Sequence, residues 1–333
     1  MKREFLSRLA CPETGTPLSL VEEQESGGEI LSGRLVTATG KSYDVAGGIP
    51  RFVPPSSYAD SFGYQWKKYA ELQLDSRNGS TFSRDRFYSI TEWSETDLRG
   101  KRVLDVGCGA GRFAEIALAA GAEVVAVDLS QAVEACRDNL RPCDRLEIVQ
   151  ASIYELPFPP GSFDFVYCIG VIQHTPDPQR SILEIARMVR PGGRLGYWIY
   201  ERDWKSYLGT TGFKYLFRPW TKTLSREAVE RFSHTLETLC WPINRIARKC
   251  GLPGKIVMRM LPVSSAYLQD VPLSDQEFRE WVRLDTFDMY SPAHDHPQKF
   301  DTVARWLAAA GFEVDPRHPH GGISITARRP SDS

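Results

Sequence analysis

The sequence contains no run of the roughly 18 apolar residues that a membrane-crossing helix requires. Its opening segment, MKREFLSRLACPETG, is charged and lacks an apolar stretch of signal-peptide length. A cytoplasmic protein is therefore expected. The chain also has almost no excess of one charge: 41 Lys and Arg stand against 42 Asp and Glu, a formal net charge of −1. A chain-wide basic surface for nucleic acid is thereby disfavoured, although a local patch is not. Cysteine is sparse, irregularly spaced and, at seven, odd in number, which argues for reduced thiols rather than a disulfide framework. Internal repeats and low-complexity tracts are missing too. What remains is ordinary in amount: 333 residues, 42% apolar and 25% charged, enough for two domains or one domain with appendages.

The chain changes character along its length. Residues 1–55 read as a small β module, broken at Ser26-Gly27-Gly28 and Ser32-Gly33 and closed by Pro54-Pro55. Residues 56–100 are polar and aromatic, with weak helical spacing, and read as a helical lid or linker. Over 101–200, strand-like runs (Arg102–Val106, Glu123–Val127, Leu146–Val149, Phe163–Ile169, Arg194–Ile199) alternate with helical patterns (Phe113–Ala120, Gln131–Leu140, Gln179–Val189). This alternation predicts a parallel sheet covered by helices on both faces. A long, mostly helical stretch, 201–297, then interrupts the pattern. It resumes over 298–330, with a helix at Phe300–Ala310 stopped by Gly311 and strands at Phe312–Val314 and Gly322–Ala327.

The strongest local feature is Val103-Leu104-Asp105-Val106-Gly107-Cys108-Gly109-Ala110-Gly111-Arg112-Phe113. A buried strand enters a glycine turn and a helix follows, so backbone N–H groups face whatever sits on the turn. The next strand ends in Asp128, 17 residues after Gly111, where a doubly wound fold sets a carboxylate on ribose hydroxyls. The spacing is G-x-G-x-G rather than G-x-G-x-x-G, and Asp105 stands at the mouth. That acid would repel a pyrophosphate but suit an ammonium, which points to S-adenosylmethionine (SAM). Plainer readings exist for each residue: turn glycines, a helix cap at Asp128, a cap of the turn at Asp105, and a small buried Cys108.

These residues resemble class I SAM-dependent methyltransferases. Val103–Phe113 is similar to their first motif and Val124–Ser130 to the acidic strand end that follows. Gln150–Phe158 resembles the adenine-side segment, Phe163–His174 the fourth strand and its exit, and Met188–Leu195 the Pro-Gly-Gly turn before the fifth strand. The resemblance implies a Rossmann-like, doubly wound, seven-stranded α/β sheet over residues 101–200 and 298–330, with SAM as cofactor. It implies that Asp105, Gly107, Gly109 and Gly111 face the methionine part, that Asp128 holds the ribose, and that Leu129, Ser152 and Ile153 lie on the adenine side. Ile169, ending the fourth strand, is counted with them. Ser152 departs from the family, where an Asp usually sits. The start, Cys11-Pro12-Glu13-Thr14 with Tyr43-Asp44-Val45-Ala46-Gly47-Gly48, resembles a Trm112-like zinc-ribbon module. Thr14 stands where a second Cys would, so one thiolate is left and no metal site is expected.

Acceptor residues carry weaker signals. His174, just beyond the fourth strand, is the candidate general base, with orientation of the Thr175–Pro178 turn as its plainer role. The inserted residues 201–297 are expected to form a helical substrate cap. Within 202–262, twelve Lys or Arg face four Asp or Glu, and eight aromatics lie in the same window. That composition suits an anionic substrate, a membrane surface, RNA, or simply a cap packed on the core. After it comes Arg283–Pro297, rich in acids and imidazoles. Asp288, Tyr290 and His294, with Tyr200, Tyr64 and Trp66, are the candidate acceptor contacts, the last two as parts of a lid. A metal bound by Asp288, His294 and His296 is the less favoured alternative. The expected activity is SAM-dependent methylation of a small molecule, at oxygen, by in-line displacement. An RNA-modifying methyltransferase and a non-catalytic SAM-binding partner subunit are the alternatives.

Overall fold

The apolar runs of residues 101–200 become the middle of one continuous sheet in the computed structural model, which describes residues 1–53, 72–202, 209–317 and 322–331. β5 (Arg102–Val106), β6 (Glu123–Asp128), β7 (Leu146–Gln150), β8 (Phe163–Ile169) and β9 (Val189–Ile199) are parallel. β10 (Glu313–Val314) and β11 (Ile323–Arg328) close one edge, with β11 antiparallel to both β9 and β10. The order β7-β6-β5-β8-β9-β11-β10 holds seven strands. Its direction reverses between β5 and β8, and the carboxyl ends of those two strands therefore flank a crevice, where open sheets of this kind bind ligands.

The sheet does not stop at seven. β1 (Ser19–Ser26), β2 (Glu29–Val36), β3 (Ser42–Ala46) and β4 (Ile49–Arg51) form a meander, and β4 pairs in parallel with β7 through Arg51 and Gln150, giving eleven strands among the described residues. The amino-terminal residues are thus an extension of the main sheet. They share its core: Phe5, Leu9, Cys11, Ile30 and Leu35 are buried in one cluster with Val149, Phe158 and Val166. A free edge of β7 would expose unpaired backbone groups, and the meander covers it.

Period-two alternation splits the strand side chains between two layers. Leu104, Val106, Val166 and Cys168 face α4 (Pro178–Ala186) and α9 (Phe300–Ala309), while Val103, Phe165, Tyr167 and Ile169 face α1 (Phe82–Thr91), α2 (Arg112–Ala119) and α3 (Ala132–Leu140). Capping sets the helix starts: Asp177 accepts from Arg180 N at 3.0 Å, with proline in the first turn of α4. The Pro191-Gly192-Gly193 segment, expected as a turn before the fifth strand, lies within β9 as a bulge. Pairing shifts there between Phe163–Val189 and Phe165–Arg194, and Gly192 takes φ +75°.

Residues 209–290 form the helical cap: α5 (Thr210–Thr221), α6 (Arg226–Ala247), α7 (Gly251–Arg259) and α8 (Asp275–Tyr290). It has its own apolar core, including Cys240, Met258, Phe278, Trp281 and Val282. Glu237 on α6 is buried, and Arg279 and Arg283 of α8 both donate to it, at 2.8–3.1 Å. The return to the sheet is tied down by backbone bonds from His296 N to Gln173 O and from Gln298 N to Tyr200 O.

Candidate functional site

The glycine turn is a backbone construction. Gly107, Gly109 and Gly111 take φ of +82°, +53° and +95°, a region other residues enter at a cost. A Cβ on Gly107 would stand 2.4 Å from Val171 of the β8 exit, so the two strand ends close on one another at the crevice. Asp105 is buried beneath the turn, and its Oδ2 has no hydrogen-bond partner among the described residues. Burial pushes its pKa up to about 8, against the favourable hydroxyl of Tyr167, and the Asp128 carboxylate raises it further. A buried acid with one oxygen unpartnered among the described residues, under a loop with no room for side chains, fits the ammonium end of SAM.

Asp128 at the end of β6 accepts from Gly109 N at 3.0 Å, and from Ser130 N and Oγ at 2.8 and 2.7 Å. Three donors on a group with about four lone-pair sites leave room for a ribose hydroxyl. Burial raises its pKa, opposed by those donors. Leu129 is half-buried and its carbonyl accepts from Gln150 Nε2 at 3.0 Å. Ser152 caps the short turn Ile153–Glu155, accepting from Tyr154 N at 3.2 Å, so its hydroxyl already has a structural use. Ile153 and Ile169 are buried in the two core layers, on opposite sides of the sheet.

His174 is buried at the β8 exit, and its backbone N–H closes a turn on Val171 O, the residue that packs over Gly107. Its Nδ1 lies 3.1 Å from His294 O. A carbonyl only accepts, so Nδ1 carries the hydrogen and Nε2 the lone pair. Burial, and then the Lys214 ammonium, press its pKa down to about 4, so the ring is neutral at pH 7. Tyr200 meets it edge-on, at 5.4 Å between ring centres, and Lys214 Nζ stands 4.6 Å above the Tyr200 ring. Lys214 of α5 donates to Asp295 at 2.8 Å, and both side chains are at least 94% buried. Burial lowers the lysine pKa, whereas Lys214 holds the Asp295 carboxyl below its usual range despite burial.

Asp288 is close by in charge terms: burial pushes its pKa up to about 6, opposed first by Lys214, and its Oδ1 has no hydrogen-bond partner among the described residues. Tyr290 is placed elsewhere. Its hydroxyl donates to Pro262 O at 2.9 Å, and its ring packs on Phe217 and Phe232 inside the cap, so the expected acceptor contact is a cap-core residue. His294 enters the site through its backbone carbonyl, while its ring stacks on His296. Tyr64 and Trp66 lie outside the described residues. Among those described, no group of three or more His, Cys, Asp and Glu is arranged to hold a metal ion.

Beside this cluster stand residues that the sequence reading did not single out by themselves. Trp198 stands 5.5 Å from Tyr200, and the Arg86 guanidinium lies 4.4 Å over its ring. Burial lowers the Arg86 pKa, and its guanidinium has neither hydrogen bond nor ion pair among the described residues. Arg112 is pressed down to about 9 by burial and by Arg86, although Ser83 and Gln73 accept from it at 2.9 and 3.1 Å. Asp285, raised well above its usual range by burial and Asp288, faces both arginines. Asp295 lies inside a segment that reads as functional, but nothing in the sequence links it to Lys214, 81 residues earlier.

Residues 104–196 match a family described as a methyltransferase domain. The chain is 35% identical over 186 residues to the ubiquinone biosynthesis O-methyltransferase of Thiobacillus denitrificans, covering 53% of this chain and 76% of that protein. Identity to the protein of the same name from Aromatoleum aromaticum is 38% over 171 residues, 50% of this chain and 69% of the relative. Among solved structures, the magnesium protoporphyrin IX methyltransferase of Synechocystis, with bound S-adenosylhomocysteine (SAH), aligns with a TM-score of 0.46 at 16% identity. That alignment covers 82% of this chain and 96% of the other.

Proposed function

Because the chain belongs to the SAM-dependent methyltransferase family, we propose that it transfers a methyl group to a hydroxyl of a small, planar acceptor held between the sheet and the cap. The observation that carries this reading is His174, a neutral imidazole of fixed tautomer, one turn from the residue that packs on Gly107. When bound, SAM supplies a methyl activated by its sulfonium for in-line displacement. Asp105, Asp128 and the glycine turn would hold it. Trp198 and Tyr200 offer aromatic walls to a ring, and Nε2 of His174 receives the hydroxyl proton. An imidazole with a pKa near 4 is a weak base, which favours an acidic, phenol-like hydroxyl over an aliphatic one.

Residues 1–55 read as a degenerate Trm112-like module that keeps the sheet and dispenses with metal. The Cys11 thiol lies 3.4 Å from Tyr43 Oη, and contacts from Thr14 and Tyr43 outweigh burial to lower its pKa. We place the reaction in the cytoplasm, in keeping with seven unpaired cysteines. No helix among the described residues is long and apolar enough to cross a membrane.

The test is incubation with methyl-labelled SAM and a panel of phenols, aliphatic alcohols and amines, reading SAH formation and the labelled product. Label on phenolic oxygen is the expected result. SAH formed only with amines, or none from folded protein that binds SAH, would remove the proposal.

A further inference from the structure

Ten of the twelve large hydrophobic side chains that stand exposed among the described residues belong to the cap. On α6 they are Leu239, Ile243 and Ile246; on α7 they are Leu252 and Ile256, continued by Met260 just past its end, with Val257 beside them; Leu239 is 70%, Ile246 69% and Leu252 72% exposed. The spacings of three and four put each set on one stripe of its helix. This stripe is not the one that packs inward, since α6 buries Val229, Ser233, Glu237, Cys240, Asn244 and Ala247 instead. Helices α6 and α7 meet at a tied junction, and the start of α5 is joined to the end of α7. Gln269 Nε2 bridges Ala247 O and Gly251 O, at the junction of α6 and α7, while Thr210 Oγ1 at the start of α5 donates to Arg259 O at the end of α7. An apolar surface on that scale is a docking site rather than scatter.

The charges around it are cationic. Lys222, Arg231, Lys249 and Arg259 are exposed and make no ion pair among the described residues, whereas Arg245 and Arg248 pair with Asp275 and Lys255 with Asp270. Arg231 lies on the flank of α6 beside the stripe, and Lys249 follows two residues past the end of the same helix. We propose that this face docks the protein on an anionic lipid bilayer, with the α6 and α7 stripes at headgroup depth and the unpaired cations on the headgroups. A two-fold dimer through the same face would set one cationic flank near its copy, a repulsion that an anionic bilayer turns into attraction. RNA is a poorer match, because the exposed side chains are chiefly aliphatic and bases stack on aromatic rings. The proposal stands on the cap surface alone and is independent of which acceptor is methylated.

Co-sedimentation of the full chain with vesicles tests it. Vesicles of equimolar phosphatidylglycerol and phosphatidylcholine are compared with phosphatidylcholine alone, at low and high salt. Binding to the anionic vesicles is expected, weakened by salt. The triple substitution Leu239→Ser, Ile246→Ser, Leu252→Ser and the double substitution Arg231→Glu, Lys249→Glu are each expected to weaken it about tenfold or more. These are surface positions, and an unchanged thermal shift with SAH shows that each variant still folds. No binding to anionic vesicles by folded wild type overturns the proposal. So does a stable dimer that the serine variant dissociates without any vesicle binding, or salt-sensitive RNA binding with vesicles ignored.

Discussion

The glycine turn and the buried cluster around His174 are built by opposite means. In the turn, one short segment of backbone makes the shape: three glycines at positive φ, with Asp128 reaching Gly109 across only 19 residues of sequence. In the cluster, polar groups arrive from distant elements. His174 meets His294 across 120 residues, and Lys214 meets Asp295 across 81. Backbone shapes demand particular residue types at fixed spacing. A tertiary charge cluster demands only that opposite charges arrive together, which many sequences satisfy. The two halves should therefore fail separately when altered.

Replacing His174 gives the widest expected separation. His174→Gln should lower kcat by roughly a hundredfold to ten-thousandfold, the usual span for a lost general base, while SAH affinity stays within error. Calorimetric titration with SAH beside initial-rate measurements checks it. Equal losses in both would show that the β8 exit serves the cofactor as well, and the division would collapse.

Lys214→Met comes next. It strips the partner from an Asp295 side chain that is only 3% exposed, and breaking such a pair costs about 3–5 kcal/mol. Adding Asp295→Asn should recover much of that loss in chemical denaturation. The same cation helps depress His174, so its removal should move the acid limb of the rate profile upward from about pH 4. A limb that does not move would place Lys214 in the scaffold alone.

Asp105 sharpens the cofactor half through pH. Its folded pKa of about 8 exceeds the unfolded value near 3.9, so its contribution to stability is greatest below pH ~4 and is lost as pH rises through about 8. A bound ammonium favours the ionised form. SAH binding at pH 7 should then release a proton and tighten as pH rises, by up to about tenfold per unit below pH 8. Calorimetry in two buffers of different ionisation enthalpy reads the proton directly. Asp105→Asn should abolish the release, and a wild type that releases none would remove the ammonium from Asp105.

The same division explains what the sequence disclosed. The strands from Arg102 to Ile169 were legible because buried parallel strands are unbroken apolar runs, and Asp105, Asp128 and the glycines because a turn fixes their spacing. The pairing of β4 with β7 was not legible, since one parallel bridge at Arg51 leaves no periodicity behind. Tyr290 illustrates the limit in the cluster around His174. The His294 carbonyl meets His174 and the Lys214 charge acts on Asp288, but Tyr290 falls on the helix face that packs on Phe217 and Phe232, and the spacing alone did not say which face turned inward. Arg86 and Lys214 were invisible for the opposite reason, being ordinary basic residues in ordinary helical segments until the fold buried them.

Ser152 carries the smallest expected effect and the finest distinction. The family's usual Asp would serve both as cap and as acceptor for the adenine amino group, whereas the serine hydroxyl is already accepting from Tyr154 N. Ser152→Ala should thus cost about 1 kcal/mol of stability through the lost cap, with SAH affinity changed less than about threefold. Ser152→Asp should keep the cap and add a charged acceptor, tightening SAH by up to about tenfold. A tenfold loss of SAH affinity in Ser152→Ala with stability unchanged would reverse the assignment: the hydroxyl would belong to the adenine, and the turn Ile153–Glu155 would be held by its packing, because Ile153 is buried in the core whichever partner the hydroxyl takes.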